Sequence, residues 1–229
     1  MSALPTAEEV RTRLAAVRAR IAAAGGDPAR IAVLGVTKGH PPEVVPVALD
    51  AGLVDLGENY AQELLAKATA TAAGGADRPV RWHFIGHLQR NKVRQLAPHV
   101  ALWQSIDRPE LVDELARRAP GARLLVQVNA TGEQNKGGCP LDAVAALVDR
   151  AVGAGLAVEG LMTVGPTDAD RDPAPGFAAV RALVDRLGLT TCSMGMTDDL
   201  ETAVREGSTM VRIGTALFGA RAPRVAVGD

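Results

Sequence analysis

The chain has 229 residues, is 47 % hydrophobic and carries 26 acidic against 25 basic side chains, a net charge of −1. That is enough chain for one large core, either one α/β barrel or two small domains, and the near-neutral balance leaves no basic footprint for nucleic acid. No apolar run is long enough to span a membrane, Met1-Ser-Ala-Leu-Pro-Thr6 has no leader pattern, and Cys139 and Cys192 lack CxxC spacing, so a reducing cytoplasm is the expected compartment.

Thr6-Ala-Glu-Glu9 has the form of a capping box opening a helix. Val10, Leu14, Val17 and Ile21 give that helix one apolar face, and Gly25-Gly26 ends it. From residue 31 strand and helix alternate. Strands are expected over 31–37, 54–57, 80–85, 101–105, 123–128, 158–162, 191–193 and 210–213. Helices are expected over 42–51, 61–73, 90–96, 109–118, 141–154, 175–187 and 197–206. The strands are short apolar runs, as in a parallel sheet covered on both sides. Eight such units predict a single (β/α)8 TIM barrel, with the N-terminal helix covering the place of an eighth barrel helix. A doubly wound open sheet is the alternative, and no GxGxxG follows the first strand to support it. One domain is expected over 1–229, with its core at about 31–221 and a mobile tail over 222–229. The stretch 74–79 reads as a loop, and 129–140 and 165–176 as longer loops on the functional face.

Chemistry first suggests itself at Lys38. Of 25 basic residues only four are lysines: Lys38, Lys67, Lys92 and Lys136. A chain that uses Arg wherever a charge suffices keeps Lys for work an amine alone can do, such as forming a Schiff base. Lys38 follows an apolar strand and shares a face with Ala32, Leu34 and Val36, so it should point into the barrel mouth. A solvated Lys just past a strand end would look the same.

The loops after strands seven and eight carry Ser193-Met-Gly-Met-Thr197 and Arg212-Ile-Gly-Thr215. In α/β barrels these two loops often hold a phosphate. Gly195 and Gly214 permit close backbone approach, and Ser193 and Thr215 offer hydroxyls, although glycines also simply make turns. Arg212 should face inward and needs an acceptor: a carboxylate, a ring nitrogen or a phosphate. Pyridoxal 5′-phosphate has the aldehyde, phosphate and ring nitrogen to satisfy all three features. A sugar-phosphate aldolase would use the Lys and the phosphate cup but has no evident need for Arg212.

Val36-Thr-Lys38, Gly57-Glu-Asn-Tyr60, Trp82-His-Phe-Ile-Gly86 with Leu88-Gln-Arg-Asn-Lys92, Gly160-Leu-Met162, Ser193-Met-Gly-Met-Thr-Asp198 and Val211-Arg-Ile-Gly-Thr215 with Phe218-Gly219 resemble, in order, the motifs of the pyridoxal phosphate homeostasis protein family. The resemblance implies the type III pyridoxal-phosphate fold, a barrel similar to the N-terminal domain of alanine racemase. It implies a Schiff base on Lys38, with Val36 beside it. It places Ser193, Gly195, Met196, Gly214 and Thr215 around the phosphate, Arg212 at the pyridine nitrogen, and Asn59 and Met162 along the ring. Thr197 stands where the family more often has Ser, and Gly39-His40 after the Lys is a second departure.

The implied role is to carry and buffer vitamin B6 cofactor rather than to turn over substrate, with apo forms of pyridoxal-phosphate enzymes as recipients. An Arg at the pyridine nitrogen disfavours its protonation and weakens the ring as an electron sink. No second base pairs with Lys38, the chain has a single Tyr, Tyr60, and it ends just after the barrel. An amino-acid racemase is the competing reading. A monomer is expected, since no long apolar segment invites a partner. His83-x-x-x-His87 begins on a strand and lacks the one-face geometry of a helical metal pair. Asp168-Ala-Asp-Arg-Asp172 has Pro173 where a calcium loop needs Gly. Asp198-Asp199 reads as a helix first turn, and Asn91-Lys92 as a possible second anion contact or a plain solvated Lys.

Overall fold

The computed structural model describes residues 4–74 and 79–220, so the expected mobile tail and most of the 74–79 loop lie outside the described residues. Eight parallel strands close into a barrel in chain order: β1 Ala32–Val36, β2 Asp55–Glu58, β3 Arg81–Phe84, β4 Val100–Ile106, β5 Arg123–Val128, β6 Ala157–Thr163, β7 Thr191–Ser193 and β8 Met210–Ile213. Closure comes from β1 against β8, with Leu34 beside Arg212 and Gly35 beside Ile213. The helices are α1 Ala7–Ala23, α2 Val44–Asp50, α3 Ala61–Ala73, α4 Val93–Leu96, α5 Pro109–Arg118, α6 Val144–Gly153, α7 Ala174–Arg186, α8 Leu200–Arg205 and α9 Thr215–Phe218. Single 3-10 turns, Arg90–Lys92 and Leu141–Ala143, lead into α4 and α6.

The capping box forms as expected. Thr6 Oγ1 accepts the Glu9 amide at 3.2 Å, and the Glu9 carboxylate accepts the Thr6 amide at 2.7 Å. Val10, Leu14, Val17 and Ile21 are all buried. The helix lies against α2, α8 and α9, beside the seam where β8 meets β1. Arg20 forks onto Glu201 at 2.6 and 2.8 Å, and Arg13 donates to the Leu217 carbonyl at 3.0 Å. Among the described residues the eighth unit contributes the one-turn α9, and α1 supplies apolar cover beside it.

Two cores result. The larger lies between the barrel wall and the helices and includes Trp82, Phe84 and Trp103. The smaller sits inside the barrel and consists of Leu102, Leu125 and Met162, flanked by Val164 and Met210. Gly160 is forced by packing, since a Cβ there would meet the Thr191 carbonyl oxygen at 1.8 Å. Cys139 and Cys192 are free and buried, and burial pushes both thiols up to about 11.

The helix expected from Thr197 starts instead at Leu200. Residues 194–199 turn first, because Gly195 takes φ +96° and the Asp199 carboxylate captures the Met196 amide. Asp199 therefore closes that loop as well as preceding the helix.

Acid should loosen this fold. Hydrogen bonds from Arg117 and Arg118 lower the Glu114 carboxyl from 4.5 to about 2. Those from Lys136 and Thr131 do the same to Glu133. A depressed folded-state pKa contributes stability above the unfolded value and loses it as pH falls toward the folded value. The urea midpoint is expected to hold above pH 4.5 and to drop steadily between 4.5 and about 2.

Candidate functional site

The residues expected to bind lie at, just beyond or below the C-terminal ends of the strands. β1 ends at Val36, one residue sooner than expected, and Lys38 sits in the following turn, half buried. Gly39 takes φ +73°, which only glycine tolerates well, so the chain leaves sharply after Lys38. His40 then rests its ring on Phe218, with centroids 5.9 Å apart. Val36 is buried, and Gly214 packs on it closely enough that a Cβ would lie 3.3 Å from the Val36 carbonyl oxygen. Arg212 lies deeper, level with Leu34.

Arg212 is 5 % exposed, and burial pulls its pKa down to about 10. Among the described residues it has no carboxylate within salt-bridge distance. Nη1 donates to the Ser193 carbonyl at 2.8 Å and to Ser193 Oγ at 2.9 Å, and Nη2 to the Thr163 carbonyl at 2.7 Å. A guanidinium has five N–H donors, so these bonds leave Nε–H and one Nη2–H for a further acceptor.

A hydrogen-bonded chain runs on from Arg212 through the barrel interior. Ser193 Oγ, having accepted from Arg212, gives its proton to Gln104 Oε1 at 2.7 Å. Gln104 Nε2 then meets His83 Nδ1 at 2.8 Å, and His83 Nε2 meets Asp55 Oδ1 at 3.2 Å. With Gln104 donating, His83 must be unprotonated at Nδ1 and carry its proton at Nε2, facing the carboxylate. Burial opposes ionisation of Asp55, but hydrogen bonds from His83 and Arg81 outweigh it and hold the carboxyl well below the usual range. Every donor points from Arg212 toward Asp55. Sequence reading missed Gln104, the role of His83, and Asp55. The available signal was a polar side chain on the inward parity of an apolar strand, as Gln104 stands two residues after Leu102.

The residues expected around a phosphate are constrained in different ways. Gly195 is required, since a Cβ would lie 2.6 Å from that of Ala203 and its φ is positive. Gly214 precedes α9, whose first residue, Thr215, is exposed at the mouth. The Leu217 and Phe218 amides of α9 both donate to the Gly214 carbonyl at 2.9 Å, so the Thr215 and Ala216 amides are the ones that precede the first helical hydrogen bond. Ser193, expected to offer its hydroxyl to the anion, spends that proton on Gln104. Met196 is 38 % exposed, with its amide taken by Asp199.

Met162 is buried inside the barrel beneath the mouth. Asn59 follows β2, and its Oδ1 is sealed from solvent with no hydrogen-bond partner among the described residues. Beside it opens a cavity of about 420 Å³ lined by Tyr60, Gln62, Phe84, His87 and Lys92. Gly86 is pinned here, because a Cβ would lie 1.9 Å from the Asn59 carbonyl oxygen. The longer loops after β5 and β6 are clasped together: Lys136 bonds Glu133 at 2.7 Å and the Gly165 carbonyl, and Glu133 accepts the Thr167 amide at 3.2 Å. No cluster of metal-ligating side chains occurs among the described residues, and His83 and His87 point apart in role, one buried and one exposed.

Residues 8–222 match the family described as alanine racemase, N-terminal domain. The pyridoxal phosphate homeostasis protein of Pseudomonas aeruginosa is 42 % identical over 223 residues, covering 94 % of this chain and 95 % of that protein. Its counterpart in Aquifex aeolicus is 40 % identical over 201 residues, covering 82 % and 86 %. PipY of Synechococcus elongatus, solved with pyridoxal phosphate bound, has a TM-score of 0.80 at 29 % identity, covering 92 % of this chain and 100 % of its own. Alanine racemase from Bacillus anthracis shares the fold, with a TM-score of 0.68 at 18 % identity over 97 % of this chain and 58 % of its own. The chain belongs to the alanine racemase N-terminal domain family and, within it, to the pyridoxal phosphate homeostasis proteins.

Proposed function

We propose that this protein binds pyridoxal 5′-phosphate at the barrel mouth, with Lys38 as covalent anchor, and serves vitamin B6 homeostasis by holding and releasing the cofactor. The residues present fit the group. Lys38 supplies the amine, the backbone around Gly195, Met196, Gly214 and Thr215 receives the phosphate, and Val36, Asn59 and Met162 line the ring. Asn59 stands beside the cavity at the end of β2, and its Oδ1, unpartnered among the described residues, leaves that side chain uncommitted to the fold. Ser193 acts here by holding Arg212 as well as by shaping the cup. When bound, the cofactor supplies an aldehyde carbon that an amine attacks with loss of water.

The observation that carries the reading is Arg212. It is a buried cation whose partners are two carbonyls and a hydroxyl, with donors to spare. A pyridine nitrogen is the acceptor that suits it. An N–H donor there holds the nitrogen unprotonated, because a pyridinium beside a guanidinium would set two like charges together in a poorly solvated site. A carbanion is then poorly stabilised, which favours storage over racemisation. The protein is read as a monomer in a reducing cytoplasm that hands cofactor to apo enzymes. In support, the large exposed apolar residues among those described are Tyr60, Leu141, Val152 and Met196, on four different segments. No described helix is long and apolar enough to cross a membrane.

The test is proton exchange. Cofactor-loaded protein is incubated with amino acids in deuterated water and their α-positions are followed by NMR. Exchange at the rate of free pyridoxal phosphate is expected, together with transfer of cofactor to an added apo enzyme. Stereospecific exchange well above that rate would establish the racemase reading instead.

A further inference from the structure

The turn carrying Lys38 is held from behind by charged side chains sealed between the barrel wall and α3. By strand alternation Thr37 and Glu58 point outward, toward the helix layer. Lys67 on α3 is 1 % exposed and Glu58 is fully buried. Lys67 Nζ bonds the Glu58 carboxylate and donates to the Thr37 carbonyl at 2.7 Å. Thr37 Oγ1 donates to Glu58 Oε1 at 2.7 Å. One turn earlier on α3, Glu63 accepts the Gly39 amide at 2.7 Å and lies 3.8 Å from Lys67 Nζ. The carbonyl before Lys38 and the amide after it therefore both end on side chains of one helix.

A buried ion pair is a costly way to stabilise a fold, and an apolar pair of similar shape often does as well. An apolar pair has no means of gripping two peptide groups. Burial also pushes the Glu58 carboxyl up, against the pull of Lys67, so this cluster is kept at an electrostatic cost.

We propose that Lys67, with Glu58 and Glu63, is a positioning device for Lys38: it locks the backbone on both sides of that residue so that its amine enters the mouth at a fixed height and angle. The proposal rests on the reading of Lys38 as the cofactor's anchor. Lys67, Glu58 and Glu63 touch no cofactor and act through the turn alone.

The full chain is compared with Lys67→Met, with the double variant Glu58→Gln/Lys67→Met, and with Glu63→Ala. The double variant removes the uncompensated buried charge that the single one leaves. Glu63 is partly exposed, so Glu63→Ala releases the Gly39 amide without opening the buried pair. Three quantities are read: the urea midpoint, the rate at which pyridoxal phosphate becomes reductively trapped on Lys38 by borohydride, and the pH midpoint of Lys38 acetylation in cofactor-free protein. Peptide mapping assigns the last two. Trapping on Lys38 is expected to slow about tenfold or more in every variant, since small misplacements of a reacting group cost at least that much. The acetylation midpoint is expected to move with it, even where the urea midpoint is native. Native trapping and a native acetylation midpoint in the double variant and in Glu63→Ala would overturn the proposal and leave the cluster a stabilising element only. Should the Lys67 variants not fold, Glu63→Ala decides on the same readouts. Acetylation requires no cofactor, so failure to trap on Lys38 in the native chain would count against the anchor while the clamp stays measurable.

Discussion

Lys38→Ala is expected to abolish the visible chromophore of the loaded protein and the borohydride-stable phosphopyridoxyl group on the peptide holding residue 38. The phosphate and ring contacts survive this change, so binding weakens without vanishing. Loss of the covalent link is expected to cost on the order of 100-fold in affinity, or ~2.7 kcal/mol. Two of the other three lysines are poorly placed to substitute, and Lys92, which lines the cavity beside Asn59, is the alternative that peptide mapping has to exclude. Lys67 is buried in its ion pair, and Lys136 is spent on Glu133 and Gly165. Mass spectrometry after reduction, with peptide mapping, checks this directly. An undiminished chromophore in Lys38→Ala would move the anchor elsewhere and remove the central reading of the mouth.

Gly195→Ala should damage the opposite side of the site. The new methyl would sit 2.6 Å from the Ala203 Cβ, and the backbone holds φ +96°. A left-handed conformation costs an L-residue ~1–2 kcal/mol, and overpacking adds about 1–3 kcal/mol. The strain falls on the segment that joins β7 to α8 and that receives the Arg212 amide on the Gly195 carbonyl at 2.9 Å. A destabilisation of about 2–5 kcal/mol is therefore expected in urea unfolding. Affinity for pyridoxal phosphate should fall at least tenfold, or ~1.4 kcal/mol. A variant with lowered stability and native affinity would show that the loop after β7 takes no part in holding the phosphate.

These effects differ in how far ahead of the structure they were visible. Lys38 and Gly195 announced themselves because their chemistry is local: an amine directly after an apolar strand, and a glycine in a loop of known use. α3 and α5 were legible to the residue for the same reason, since helix periodicity and a Pro at the start of α5 are short-range signals. The start of α8 was not, because the Asp199 carboxylate bends back to the Met196 amide and delays the helix to Leu200. That choice depends on a glycine conformation, which composition alone does not specify.

By itself, the sequence determined the alternation of strand and helix, the N-terminal cap and the closed-barrel class, all of which follow from periodicity and turn chemistry. Only the tertiary structure decided which polar groups meet. Lys67 has a Glu one helical turn away and nothing local that marks it for burial, yet β1 and β2 bring Thr37 and Glu58 to it and bury it. Ser193 looks like an anion donor until Gln104, 89 residues earlier, takes its proton. Hydrogen bonds between side chains so far apart in sequence exist only once the barrel closes, because closure is what sets their distance and removes the water that would otherwise compete for them.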